Sequence, residues 1–388
     1  PSINFDKSFD ENKLTLQLKH EVEAAVLRWS ISDVKLGCYL SGGVDSSLTT
    51  AILAEKTNHQ IDTYCIGFSD KNFNEFKYAE IVAKKYNTNH HEIGMESSDY
   101  FNEMDDLIRM KDAPLAVPNE IPLALMNKRL SDDITVVISG EGADELFGGY
   151  GKIFRSGFDF KNHCNDEIFN YSSFYEYFLS KYEYVSRSIR DEFLTTSFEY
   201  RDQFDTILKQ KFEKCEPEEA IFRFFHDIHI KGLLQRVDMT SMQASIEARP
   251  PFLDHELIEF VYTQIPYDLK LKWKNEEAKL LANEKTANEY SEKLDTPKYI
   301  LKKVSESYLP NEIIYRKKMG FPVPLTNWIE QLITQSQELL SNTTWLKPNT
   351  VEELVSKIKT EERAGQLLWM FINIEKFKRI YFSKNWKW

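Results

Sequence analysis

The sequence predicts an α/β fold, a parallel sheet with helices on both faces followed by a mainly helical C-terminal half. Three observations point that way. Apolar and β-branched runs alternate with segments of helical periodicity up to about residue 140, glycine-containing turns follow three of those runs, and the strand pattern stops near residue 150.

Taken in order, Leu14, Leu18, Val22, Val26 and Trp29 recur at helical spacing and predict an amphipathic helix over residues 12–30. Val34 to Leu40 reads as a strand and Ser46 to Lys56 as a helix. Thr63 to Phe68 is a second strand that ends in a glycine turn. Ala79, Val82, Ala83 and Tyr86 mark a helix, and a short strand is expected near His91 to Ile93. Residues 99–110 and 120–130 look helical, and Thr135 to Ser139 is a β-branched strand. Residues 155–225, rich in Phe, Tyr and charge, read as helices. The remainder to Trp388 is also helical and carries an apolar stripe of Leu367, Leu368, Phe371 and Ile374. No internal repeat or low-complexity linker interrupts the chain, so its two halves are expected to share an interface. In parallel sheets ligands bind beyond the carboxyl ends of strands. Three stretches fall there: Ser41 to Ser46, Ile66-Gly67 and Ser139 to Glu145.

The first of these, Leu40-Ser41-Gly42-Gly43-Val44-Asp45-Ser46-Ser47, is the most informative. Its glycines permit positive φ and bring amide N–H groups close to a phosphate. The serines add hydroxyl donors, and the N-terminus of the following helix favours negative charge. Asp45 alone would repel phosphate, so its presence implies a Mg2+ between carboxylate and phosphate oxygens. The stretch lacks the Gly-Lys-Ser/Thr ending of a Walker loop and the spaced glycines of the dinucleotide fingerprint. It resembles the pyrophosphate loop of the ATP-pyrophosphatase (PP-loop) enzymes, which cut ATP into AMP and pyrophosphate. An ordinary strand–turn–helix corner is the plain alternative.

The second constellation runs from Val136 through Ser139-Gly140-Glu141-Gly142-Ala143-Asp144-Glu145 to Tyr150. Three carboxylates just past a strand suit a cation site or acid/base work. Some of them could instead cap the next helix, a role that Glu145 fits best.

Bulk properties narrow the class. A net charge of −12 and a pI near 5.3 argue against a nucleic-acid surface. That weakens a PP-loop enzyme that modifies transfer RNA. Cys38, Cys65, Cys164 and Cys215 are scattered, with no pair at metal or redox spacing, which suits a reducing cytoplasmic setting. No apolar run approaches a membrane span, so no membrane partner is expected. His226 and His229, three apart on a helix, have no evident third ligand and read as packing or hydrogen-bonding residues. His90-His91 reads as a strand end.

The chain resembles the synthetase domain of the glutamine-dependent asparagine synthetase family. Besides the two stretches above, the resemblance rests on Leu234-Gln235-Arg236-Val237-Asp238-Met239-Thr240-Ser241-Met242, and on Ser245-Ile246-Glu247-Ala248-Arg249-Pro250-Pro251-Phe252-Leu253-Asp254-His255. A last stretch is Leu309-Pro310 with Arg316-Lys317-Lys318-Met319-Gly320-Phe321. These stand in the family's order and cover the chain from about residue 12 to its end.

The resemblance implies a PP-loop ATP-binding core over residues 1–150 and a helical part over 151–388 that completes the synthetase domain. It implies ATP and Mg2+ as cofactors. Ser41, Gly42, Gly43, Asp45 and Ser46 would hold the pyrophosphate, with Asp45 and Asp144 on the metal. Tyr39, Ile66, Ser139 and Gly140 would line the AMP portion, and Leu40 would join the cofactor-binding residues. Lys318 would stabilise charge as a carboxylate attacks the α-phosphorus, and Glu141 would handle protons or position the amine. For the Arg236 to His255 block a wall of the acceptor pocket is favoured, with Glu247 and Arg249 able to pair. The implied reaction is adenylation of a carboxylate, with aspartate favoured, followed by attack of ammonia. Glu141 stands where β-lactam-forming relatives carry tyrosine, although the family fold also amidates sugar acids and closes peptide rings. A catalytically dead nucleotide-binding subunit is a further alternative.

There are two departures. Glutamine-hydrolysing members carry a preceding domain with an N-terminal cysteine nucleophile, whereas this chain begins Pro1-Ser2 and enters the synthetase region almost at once. The resemblance therefore implies a half of a longer protein, or ammonia from solution or from a partner glutaminase domain or subunit. It also leaves room for a homo-oligomer. The second departure is Lys302, where relatives often carry arginine.

Overall fold

The computed structural model describes residues 9–70, 73–164, 171–196, 202–318, 320 and 323–382. Met319 and Phe321 of the last quoted stretch, and Pro1-Ser2, lie outside the described residues. Helix α1 (Glu11–Trp29) is followed by β1 (Leu36–Tyr39), α2 (Val44–Lys56), β2 (Asp62–Phe68), α3 (Phe76–Tyr86) and β3 (Asn89–Met95). Next come α4 (Ser97–Lys111), α5 (Glu120–Leu130), β4 (Val136–Ile138) and the short α6 (Ala143–Phe147). The local patterns thus predict each of these elements except the short α6, and the ends shift by a few residues.

The strands form one parallel sheet in the order β3-β2-β1-β4-β5. The chain steps outward from β1 to β3 and then crosses back to β4. The switch point therefore lies between β1 and β4, where Leu36, Gly37 and Cys38 pair with Val136, Val137 and Ile138. Ligands of open parallel sheets bind at such a point, and both acidic-glycine stretches flank it.

The expectation that strands end near residue 150 is corrected. β5 (Glu247–Arg249) joins the sheet beside β4, and β6 (Leu271–Trp273) pairs antiparallel with β7 (Asp295–Pro297). Each is three residues long. β5 is an edge strand whose Glu247 and Arg249 pair with each other at 2.8 Å, so no apolar alternation marks it.

Two apolar cores cover the sheet. One gathers Val22, Leu48, Ile52, Val261 and Leu301. The other packs α4 and α5 against the helix Glu362–Tyr381 through Leu107, Ile108, Leu368, Trp369 and Ile372. Burial there differs from the expected stripe: Leu367, Leu368 and Phe371 are buried but Ile374 is exposed, because Trp369 and Ile372 turn inward instead. A third, aromatic cluster holds Phe154, Phe178, Phe212, Phe222, Phe224 and Phe225. From it a π-helical turn (Phe225–His229) leads into the helix Ile230–Met242, which packs on α5.

Candidate active site

Strand β1 hands over to α2 through the serine–glycine loop. Gly42 has φ 71°, and a Cβ there would lie 2.5 Å from the backbone of Tyr78, so no side chain fits. Ser41 Oγ and Ser46 Oγ are 3.1 Å apart, and the Gly43 amide donates to Ser41 Oγ at 3.2 Å. No side chain caps the N-terminus of α2, which leaves its first-turn amides for an anion. The second loop touches the first: a Cβ on Gly140 would lie 2.7 Å from the Ser46 amide nitrogen. Arg316 closes the cradle. Its Nε donates to the Gly42 carbonyl at 3.1 Å, its guanidinium lies 4.4 Å from the Tyr78 ring centroid, it pairs with Glu75, and its Nη1 is buried without a partner.

Asp45 and Asp144 face each other across the switch point with Lys298 between them. Lys298 Nζ lies 2.5 Å from Asp45 Oδ2 and 2.7 Å from Asp144 Oδ1, and Lys318 Nζ lies 2.7 Å from the same Asp144 oxygen. Burial would raise the Asp144 carboxyl, but the two ammonium groups outweigh it and hold Asp144 well below the usual carboxylate range. Asp45 is pushed the other way, chiefly by burial against the pull of Lys298, with the charge of Asp144 adding to the rise. Lys318 also lies over the Tyr150 ring, 4.5 Å from its centroid.

Glu141 accepts from Arg236 Nη2 at 3.0 Å, and Arg236 also donates to Asn119 at 3.3 Å. Burial raises the Glu141 carboxyl; Arg236 opposes that, and Asp144 and Asp45 reinforce it. Glu145 does not cap α6, whose N-cap is Gly142 with no side-chain bond. It is buried instead, accepts from the Tyr150 hydroxyl at 2.7 Å, and leaves Oε2 unpartnered. Burial, with Asp144 beside it, pushes its pKa up to about 7. His229 stands 3.6 Å from Glu145 and 2.9 Å from the Tyr182 hydroxyl, and burial, then Arg236, lowers its pKa to about 4. It therefore serves hydrogen bonding, as does His90, which contacts Thr63 Oγ1 at 2.9 Å.

Among the described residues, no group of three or more His, Cys, Asp or Glu side chains could hold a metal. A Mg2+ would have to take oxygens from Asp45, Asp144 and a bound phosphate, a donor set that suits this ion. Asp45 Oδ1, buried with no hydrogen-bond partner, fits that use.

The fold therefore brings together Ser41, Gly42, Gly43, Asp45, Ser46, Ser139, Gly140, Glu141, Asp144 and Lys318. Tyr39 ends β1 and Leu40 follows it, with Tyr39 donating to Asn127. Ile66 lies inside β2, paired with Ile93, rather than beyond its end. Sequence reasoning missed Lys298, Arg316 and Glu75, and it gave Arg236 no contact with Glu141. The basic run at 316–318 was the available signal for Arg316.

A serine–glycine anion loop and bridged carboxylates at the switch point of a parallel sheet define a nucleotide-binding α/β protein of the pyrophosphate-loop class. The asparagine synthase family profile matches residues 17–379, and the chain belongs to that family. Asparagine synthetase (glutamine-hydrolyzing) 1 of Bacillus subtilis (strain 168) is 26% identical over 348 residues, covering 83% of this chain and 51% of that protein. Asparagine synthetase (glutamine-hydrolyzing) 3 of the same organism is 26% identical over 388 residues, covering 93% of this chain and 57% of that protein. The chain spans about half the length of the curated relatives it matches. The solved NH3-dependent NAD synthetase of Campylobacter jejuni overlaps 59% of this chain and 96% of its own at 16% identity and a TM-score of 0.29, a likeness too slight to weigh.

Proposed function

We propose that this chain adenylates a carboxylate with ATP, releasing pyrophosphate, and that ammonia then displaces AMP to leave an amide. The carboxylate is aspartate and the product asparagine. The observation that carries this reading is the meeting of an uncapped helix N-terminus, two carboxylates and two lysines at one switch point.

In this reading the amides and hydroxyls of Ser41, Gly42, Gly43 and Ser46 hold the pyrophosphate half, while Tyr39, Leu40, Ile66, Ser139 and Gly140 line the AMP half. Asp45 and Asp144 hold a Mg2+, which when bound neutralises charge on the departing pyrophosphate. Attack brings an anionic carboxylate onto phosphoryl oxygens that repel it, so a cation must stand between them. Lys318, half-exposed and held by Asp144 at 2.7 Å and by the Tyr150 ring, is the cation that turns toward that point. Glu141, oriented by Arg236, then accepts a proton from the attacking amine or positions it.

The division of labour follows. Residues 1–150 form the ATP-binding core, and residues 151–388 supply Lys298, Lys318 and Arg236. The relatives' names carry glutamine hydrolysis, so a glutaminase domain or subunit is the ammonia source. A cytoplasmic setting fits this reading, since the four cysteines are free and the reaction needs ATP.

The test is pyrophosphate and AMP release from Mg·ATP, with aspartate and ammonium each supplied or omitted. Release that requires aspartate, with asparagine formed once ammonium is present, supports the reading. Aspartate-independent release, or a different amide formed while aspartate stays inert, overturns the acceptor assignment.

A further inference from the structure

Lys298 stands where a cation shared by the two aspartates would stand. Its side chain is 5% exposed, and its ammonium bridges Asp45 at 2.5 Å and Asp144 at 2.7 Å. Its backbone adopts φ 54°, a left-handed conformation that costs a side-chain-bearing residue energy, at the N-terminus of the helix Tyr299–Ser305. The surroundings leave no slack. A Cβ on Gly149 would lie 1.7 Å from Asp144 Oδ1 and 2.2 Å from Lys298 Cε, so a glycine is what lets the pair close.

Charge explains why such a lysine is useful. Asp45 and Asp144 supply two carboxylates, and Lys298 with Lys318 returns two ammonium groups, so the charges of these four side chains balance. Without Lys298, the two carboxylates would repel each other with little solvent to screen them. A bare divalent ion entering the balanced cluster must displace an ammonium group that then has no new partner. It also finds no third protein carboxylate or imidazole among the described residues. Mg2+ demands six oxygens and dehydrates reluctantly. ATP changes both conditions, because its phosphates bring ligand oxygens for the metal and negative charge for the displaced ammonium.

We propose that Lys298 is a built-in counter-cation that holds Asp45 and Asp144 together and keeps divalent metal off them until the nucleotide arrives. Metal then enters with the triphosphate rather than before it. Lys298 is a positioning residue in this scheme, and the scheme rests on the reading that the two aspartates hold Mg2+ with ATP.

Mn2+ serves as the probe, with free and bound ion followed by electron paramagnetic resonance. The full chain is titrated with and without an ATP analogue whose α–β bridge is a methylene. Wild type should bind Mn2+ weakly alone and at least about ten-fold more tightly with the analogue than the analogue itself does. Lys298→Met should bind Mn2+ without nucleotide at least about ten-fold more tightly than wild type, and adding Asp45→Asn should remove that gain. A lysine with a merely structural role would give no gain. Unchanged or weaker Mn2+ affinity in Lys298→Met overturns the inference alone if the analogue-loaded wild type still takes up Mn2+ in a manner that Asp45→Asn abolishes. Analogue-loaded wild type with no Asp45-dependent uptake overturns the metal reading itself, and this inference with it. Should Lys298→Met not fold, wild type decides: nucleotide-free protein that binds Mn2+ as tightly as the analogue-loaded form refutes the scheme.

Discussion

Gly149→Ala isolates the geometry of the acidic cluster with one methyl group. The added Cβ would sit 1.7 Å from Asp144 Oδ1 and 2.2 Å from Lys298 Cε, where ordinary contact begins at 3.4 Å. Neither neighbour is a loose surface group, since Lys298 is buried and Asp144 is held by two ammonium groups. The carboxylate must therefore retreat by about half the ordinary contact distance, which opens the 2.7 Å pair with Lys298. Breaking a buried ion pair typically costs about 3–5 kcal/mol, and overpacking a filled site about 1–3 kcal/mol. Because Asp45 still holds Lys298 and Lys318 still holds Asp144, the expected loss is at the low end, about 3 kcal/mol. Urea denaturation of Gly149→Ala against wild type reads it directly. Gly232→Ala is the control: that glycine lies inside the helix Ile230–Met242 with nothing within 4 Å of the added methyl, so it should gain up to about 1 kcal/mol. A Gly149→Ala variant as stable as wild type would refute the claim that this glycine is needed for the Asp144–Lys298 contact.

Asp45→Asn and Asp144→Asn should each abolish pyrophosphate release while circular dichroism stays native; normal turnover in both would remove the metal assignment. Lys318→Ala should lose adenylation by about 10²–10³-fold, the typical effect of deleting one charge-stabilising donor, as read by pyrophosphate release. Glu141→Ala should keep aspartate-dependent pyrophosphate release and fail at amide formation; equal loss of both steps would deny it a separate role. Lys270 is fully buried, its Nζ lacks a hydrogen-bond partner, and the rings of Phe222, Tyr262 and Tyr267 surround it at 4.5, 4.8 and 5.5 Å. Burial lowers its pKa to about 7, so between pH 7 and the ordinary lysine value of 10.5 the unfolded chain binds the extra proton and stability rises with pH. Lys270→Met should therefore be more stable than wild type at pH 7 by about 1–3 kcal/mol, and the gap should shrink by pH 9.5 in parallel urea titrations. A pH-independent gap would contradict a buried, titrating ammonium.

The strand–loop–helix units of the first half were legible in the sequence because each is a local event. Periodicity in Leu14 to Trp29, the apolar run before Ser41 and the β-branched run before Ser139 are each set by neighbours a few residues apart. The glycines and carboxylates that follow those runs mark the candidate site for the same reason. Tertiary structure alone decided what surrounds them. Lys298 meets Asp45 across 253 residues, Arg316 meets the Gly42 carbonyl across 274, and Arg236 meets Glu141 across 95. No spacing rule links such pairs. Glu145 shows the same limit: a carboxylate early in a short helix reads as a cap, yet packing buries it against Tyr150 and raises its pKa to about 7. Likewise β5 is a strand only because β4 offers it an edge, since Glu247-Ala248-Arg249 has no pattern of its own. Residue identity along the chain determines turns, helices and the kind of chemistry available. Which charge neutralises which is a matter of long-range packing, because burial sets the strength of each interaction and only the folded chain determines what is buried.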